Sequence, residues 1–160
     1  MGPFVLARDA GRYSATIPGT LVKGDKPRLG AAGDVGLYGS SDPRLKSTKK
    51  YLTLKQDPNN SNAQKLGTFN VDTWAAYLLN GEAFVKRTKA DPAKTYPDFG
   101  CSFETFTNND FLEIETLGPM TKVQPEQTVE QVEHWGLYKN VKPAAITDEE
   151  LTRVLGPILQ

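Results

Sequence analysis

Polar and apolar residues alternate along much of this chain with the period of two that marks half-buried strands. Residues 4–8 and 13–17 read as short strands, with Asp9-Ala10-Gly11 as a hairpin turn between them. Residues 18–43 carry Gly or Pro at nine positions, from Pro18 to Pro43, and read as a long loop with a short strand over 35–38. Alternation resumes over 51–56, and a polar loop over 57–64 follows. Residues 73–79 and 83–87 form a hairpin through Asn80-Gly81-Glu82, because Asn-Gly supplies the positive φ angles of a tight turn. A loop over 88–97 leads to a second hairpin. Short and long strands over 121–123 and 128–138, joined by the turn Pro125-Glu126-Gln127, complete the β pattern. Only the tail has helical spacing: Thr147 with Glu150 three residues on is a capping box ahead of Leu151, Val154 and Leu155. The expected class is mainly β, an antiparallel β-sandwich with a short C-terminal helix. It is read as one domain: a loop-rich part over 1–40, a β core over 41–138 and a tail over 139–160.

The second hairpin, over 97–119, holds the most specific chemistry. Parity places Phe111, Glu113 and Glu115 on one face and Leu112 and Ile114 on the other. On the preceding strand Ser102, Glu104 and Phe106 alternate with Cys101, Phe103 and Thr105. A turn at Asn108-Asn109 sets Glu104 opposite Glu113, and one at Asn109-Asp110 sets it opposite Glu115. Either register gathers three acids on one face. Like charges directly opposite are destabilising, so such a cluster is not built for stability alone.

The bulk numbers exclude several classes. Nineteen Lys and Arg balance nineteen Asp and Glu over 160 residues, so the chain lacks the global electrostatic footprint of a nucleic-acid binder. No apolar run approaches the ~20 residues of a membrane span. The N-terminus shows no signal-peptide pattern, which points to the cytoplasm, or to the periplasm or secretion if that end is truncated. A single cysteine, Cys101, allows no intrachain disulfide and reads as a small buried hydrophobe. A catalytic Cys101–His134 dyad is disfavoured, because the two lie on separate strands. One His and one Cys leave no usual zinc site, and any metal would have to be a hard cation held by carboxylates; no metal and no cofactor is expected. The loop from Asp57 to Asn62 resembles a calcium loop superficially but lacks the glycine at its sixth position and a closing glutamate, where Thr68 stands. Asn59-Asn60-Ser61 is a glycosylation sequon, with meaning only in a secreted eukaryotic protein.

A run of short motifs resembles one family. Ser41-Asp42-Pro43-Arg44-Leu45, Tyr51-Leu52-Thr53-Leu54-Lys55-Gln56-Asp57-Pro58, Trp74-Ala75-Ala76-Tyr77, Phe84-Val85-Lys86-Arg87, Tyr96-Pro97-Asp98-Phe99-Gly100-Cys101, Glu113-Ile114-Glu115-Thr116-Leu117-Gly118-Pro119 and Glu133-His134-Trp135 occur in this order. They are similar to an uncharacterised bacterial family with the galactose mutarotase-like supersandwich fold, over about residues 40–138, and the chain looks like the C-terminal half of a member. The resemblance implies a carbohydrate ligand and aldose-epimerase-like chemistry, in which a glutamate takes the anomeric hydroxyl proton and a histidine protonates the ring oxygen. Glu115 most resembles that base, with Glu113 and Glu104 next. The pattern departs at the acid, since no histidine precedes His134. A non-catalytic carbohydrate-binding or structural module on the same scaffold is the alternative.

The remaining candidates are sugar contacts: Arg44, Lys55 and Lys86 as hydrogen-bond donors, Trp74 as a stacking ring, and Asp98 in the loop entering the acidic strand. Against each stands a plainer reading. An isolated strand lysine usually faces solvent or guards an edge. Trp135 is read as core, and His134 as a structural histidine. Half a supersandwich leaves sheet edges uncovered, which predicts dimerisation through them.

Overall fold

The structure, a computed structural model, describes residues 3–7, 13–15, 28–29 and 42–160. The expected strand over 35–38 and the proposed turn at Asp9-Ala10-Gly11 lie outside these residues. Among the described residues, eleven strands fall into two sheets. The larger contains β1 (Pro3–Ala7), β4 (Leu45–Ser47), β5 (Tyr51–Lys55), β7 (Asp72–Leu79), β8 (Glu82–Lys89) and β11 (His134–Lys139), in the order β11-β8-β7-β1-β5-β4. The smaller contains β2 (Tyr13–Ala15), β3 (Arg28–Leu29), β6 (Gln64–Thr68), β9 (Phe103–Thr107) and β10 (Leu112–Thr116), in the order β10-β9-β6-β2-β3. Every pairing is antiparallel except the short one between β2 and β3. The class is mainly β and sandwich-like, as expected.

The central strands of the larger sheet are buried on both sides. Toward the smaller sheet, Leu52, Leu54 and Ala75 share a core cluster with Leu66 and Phe103. On its other face, Tyr51, Ala76, Leu78, Ala83 and Val85 pack against Leu151, Val154 and Leu155 of helix α1 (Asp148–Leu155). The alternation of β5 and β7 thus feeds two cores at once, and both positions of the Ala75-Ala76 pair are buried. Thr147 caps α1 as expected, its hydroxyl accepting from the Glu150 backbone N–H at 3.3 Å. The Glu150 carboxylate reaches further back, to the Ala144 N–H at 3.0 Å. The Asp148 carboxylate accepts from Thr48 Oγ1 and from the backbone N–H groups of Lys49 and Lys50, pinning the helix start to the β4–β5 turn.

Several sequence expectations are corrected. Strands β1 and β2 do not form a hairpin: β1 pairs with β5 and β7, whereas β2 pairs with β6 and β3 in the other sheet. The polar loop ends at Gln64, where β6 begins. This strand holds one large apolar residue and a glycine, too little pattern to be read, and is fixed by its neighbours β9 and β2. No strand forms over 121–123, and the long strand over 128–138 shrinks to β11. Val129 and Val132 are spaced by three, not two, and both are exposed. The loop expected from residue 88 starts only after Lys89.

Other local expectations hold. Asn80 and Gly81 have φ of 54° and 82°, as a type I′ turn requires. The Pro125-Glu126 turn closes with the Gln127 N–H on the Gln124 carbonyl at 3.0 Å.

Leu155 is fully buried beneath the larger sheet. Leu155→Ala is expected to lower stability by about 2–5 kcal/mol, read as a lower urea midpoint at unchanged slope. An unchanged midpoint would show that the helix is not part of the core.

Candidate functional site

The acidic hairpin closes through Asn109-Asp110, and Glu104 lies opposite Glu115 while Glu113 lies opposite Phe106. The Asn108 side chain sets this register by accepting from the backbone N–H groups of Asp110 (2.8 Å) and Phe111 (3.1 Å). Across the sheet β6 adds Lys65 opposite Phe106 and Gly67 opposite Glu104. Residues Phe103, Thr105, Leu66 and Ile114 have the opposite parity, and of these Phe103, Leu66 and Ile114 pack in the shared core. Lys65, Glu104, Glu113 and Glu115 therefore occupy the face of the smaller sheet that points away from the larger one.

Glu104 is nevertheless buried, at 2% exposure. The cover is the turn over 97–101, which folds back on itself with three consecutive positive φ angles: Asp98 (46°), Phe99 (64°) and Gly100 (91°). Such a conformation is tolerated by Asp and Gly but strained for Phe99. It is fastened by the N–H groups of Gly100 and Cys101 donating to the Pro97 carbonyl (2.9 and 3.0 Å) and by the Cys101 thiol donating to the Asp98 carbonyl (2.9 Å). The buried Cys101 thiol presses on β6: a Cβ on Gly67 would lie 2.5 Å from Cys101 Sγ and 3.4 Å from Glu104 Oε1. Glycine is the residue that lets the turn seat over the acid.

Lys65 organises the charges. Its ammonium lies 2.7 Å from Glu104 Oε2 and 3.2 Å from Asp98 Oδ2. Glu104 Oε1 makes no hydrogen bond among the described residues. Burial pushes the Glu104 carboxyl up; Lys65 opposes this, the Asp98 carboxyl reinforces it, and the result is about 7. Burial acts the same way on Asp98, but Glu104 and Lys65 outweigh it and hold Asp98 below its ordinary value. For Lys65 the penalty of burial is outweighed by Glu104 and Asp98, and its value is raised. Glu115 is half-buried and its carboxyl is raised as well, first by burial and then by the charge of Glu113. Near neutral pH the site thus combines a carboxyl in the middle of its titration, an ionised Asp98 and a cation. Two carboxyls with values pushed apart are the usual equipment for proton transfer.

The other candidates fall elsewhere. Lys86 comes closest: its ammonium donates to the Ile114 carbonyl on β10 at 3.2 Å and pairs with Glu133 at 2.9 Å. Arg44 is buried and its guanidinium forks onto Asp42, Nε to Oδ1 at 3.1 Å and Nη2 to Oδ2 at 2.7 Å, so it holds the entry to β4. Lys55 is exposed on β5, away from the acids. Trp74 packs into the helix-side core, edge-on to Tyr51 at 6.4 Å, on the far side of the larger sheet. Trp135, expected in the core, is 68% exposed, because β11 is an edge strand. His134 is exposed on that strand and does not join the acids.

Sequence reasoning missed Lys65. The signal was the parity of Lys65 and Gly67 on either side of Leu66, legible only once residues 64–68 are taken as a strand.

A shallow hollow of about 470 Å³, lined by Lys49, Lys50, Asp148, Glu149, Thr152 and Arg153, lies at the start of α1 on the opposite side of the molecule. Its cations face acids of the same hollow, and it has no titratable cluster comparable to that at Glu104. Among the described residues no group of three or more His, Cys, Asp or Glu is arranged to hold a metal ion, and no helix is long and apolar enough to cross a membrane.

No protein family, no curated protein and no solved structure matches this chain.

The buried acid makes stability depend on pH. Folded Glu104 binds its proton up to about 7, whereas in the unfolded chain the group ionises near 4.5. Between these values the folded state holds the extra proton, so stability falls as pH rises, by on the order of 3 kcal/mol in all. Glu115 acts in the same direction. Asp98 is ionised in both states across this window and adds nothing. Urea midpoints from pH 4.5 to pH 8 are expected to decline, and Glu104→Gln to flatten most of that decline. A stability that rises over this range would contradict the assignment.

Proposed function

We propose that this chain is a carbohydrate-binding protein that carries out aldose-epimerase-like proton transfer, with Glu115 as the base. The observation that carries the reading is the pairing of Glu115 with a neighbour, Glu104, whose carboxyl is pushed up to about 7. Directly opposed residues on an antiparallel pair have Cβ atoms about 5 Å apart. Glu115 is the more accessible of the two and is the group to touch a sugar. Glu104, sealed under the turn over 97–101, acts through it: when Glu104 holds its proton, Glu115 ionises beside a neutral partner. Glu113 and Asp98 flank the approach, and Lys65 balances the charge.

The choice of a sugar rests on the likeness of the motifs between Ser41 and Trp135 to the galactose mutarotase-like family and its supersandwich scaffold. A two-sheet, mainly β architecture is compatible with that scaffold. Ring opening at an anomeric centre needs a base at the hydroxyl, here Glu115, and a proton for the ring oxygen, which solvent water supplies because Glu104 is sealed beneath the turn. One specific observation favours a second reading, a binding module without turnover: no histidine joins the acids, since His134 lies exposed on β11.

Exchange spectroscopy between the α- and β-anomers of common aldoses separates the two. Catalysed exchange is expected to rise with pH as Glu115 ionises, and to fall about 100-fold or more in Glu115→Gln, the usual contribution of one positioned base. Line broadening without accelerated exchange would move the assignment to the binding module. Neither broadening nor exchange with any aldose would overturn both.

A further inference from the structure

Among the described residues, two sheet edges are long enough to pair with another chain, and they are built differently. The edge of the smaller sheet is β10. Laid antiparallel against its own copy about Ile114, it would set Glu113 opposite Glu115, a like-charge pair on each side of the axis. One of its outward groups, the Ile114 carbonyl, is already occupied by the Lys86 ammonium at 3.2 Å. This edge is guarded in the way natural sheets are. The other terminal strands, β4 and β3, have three and two residues.

The edge of the larger sheet is β11, six residues paired with β8 alone. No described backbone group bonds to its outer side. Its odd-numbered residues share one face, and two of them are among the most exposed apolar side chains, Trp135 at 68% and Leu137 at 84%. Trp135 is also held in place. Its indole N–H donates to Glu133 Oε2 at 2.9 Å, and its ring stands edge-on to Phe84 at 5.6 Å. Glu133 in turn accepts from Thr116 and Lys86, which ties the indole to both sheets. An exposed tryptophan fixed by a hydrogen bond and a ring contact presents a preorganised apolar face.

We propose that β11 pairs with β11 of a second copy of this chain, antiparallel about Gly136. That register sets Trp135 opposite Leu137, His134 opposite Tyr138 and Glu133 opposite Lys139, each pair occurring twice by symmetry. The strand is therefore self-complementary in shape and in charge, where β10 is self-repelling. The two six-stranded sheets join into one continuous sheet of twice the width, and the exposed Trp135 and Leu137 cover one another across the two-fold axis. Gly136 sits on that axis. A Cβ there would lie 2.6 Å from the Tyr138 ring, so glycine lets Tyr138 fold back along the strand.

Sedimentation equilibrium of the full chain is expected to give a dimer at micromolar concentration. Leu137→Lys, at a position too exposed to matter to the fold of one copy, is expected to raise the dissociation constant by about tenfold or more. The register has its own test. Trp135→Cys and Leu137→Cys chains, mixed and oxidised, should form a disulfide-linked pair that neither gives alone, since Cys101 is buried. A monomer at every concentration would overturn the proposal. A dimer indifferent to Leu137→Lys, or cross-links from either variant alone, would do so as well, by placing the contact at another edge or register.

Discussion

A single ammonium group determines how the outer face of the smaller sheet is arranged. Lys65 lies between Glu104 and Asp98, and without it two carboxyls would converge on a buried position with no compensating charge. The turn over 97–101 can seat there because Asp98 meets that ammonium and because Gly67 leaves room for Cys101 beneath it. Seating the turn is what buries Glu104. Burial in turn displaces its protonation toward neutral pH and leaves Glu115, its cross-strand neighbour, as the more accessible of the pair. The unusual chemistry of this face thus follows from one lysine, one glycine and a strained turn rather than from the number of acids.

The two sheets divide the labour. The larger one is structural on both faces, with Leu52 and Leu54 turned toward the smaller sheet and Tyr51, Ala76 and Leu78 toward the helix. The smaller sheet is structural on one face only and spends the other on charge. Lys86, Glu133 and Thr116 bridge the sheets at the end where β10 and β11 lie, so the acidic face and the open edge of β11 are linked by one polar network.

Much of this was legible in the sequence, and the limits are physical. The acidic hairpin was readable because parity and the Asn-Asn-Asp turn confine it to two registers, and the one through Asn109-Asp110 is found. The Asn80-Gly81 turn and the Thr147 cap were readable because local chemistry alone decides them. What failed was decided by partners distant in the chain. Strand β6 exists because β9 and β2 flank it, so Lys65 was not seen beside Glu104. Trp135 reads as core because a tryptophan in a β pattern usually packs, yet a position on an edge strand leaves it exposed. Residue type alone makes Arg44 and Trp74 look like site residues, and their neighbours Asp42 and Tyr51 show that they serve the framework.

The most direct test of the account is a carboxyl-carbon NMR titration of the glutamates and aspartates, with Glu104→Gln to assign the resonance. Glu104 should titrate at about 7, with Asp98 remaining ionised well below it. A Glu104 carboxyl titrating near its ordinary value of 4.5 would mean that the turn does not seal it and that the face is a plain solvated surface.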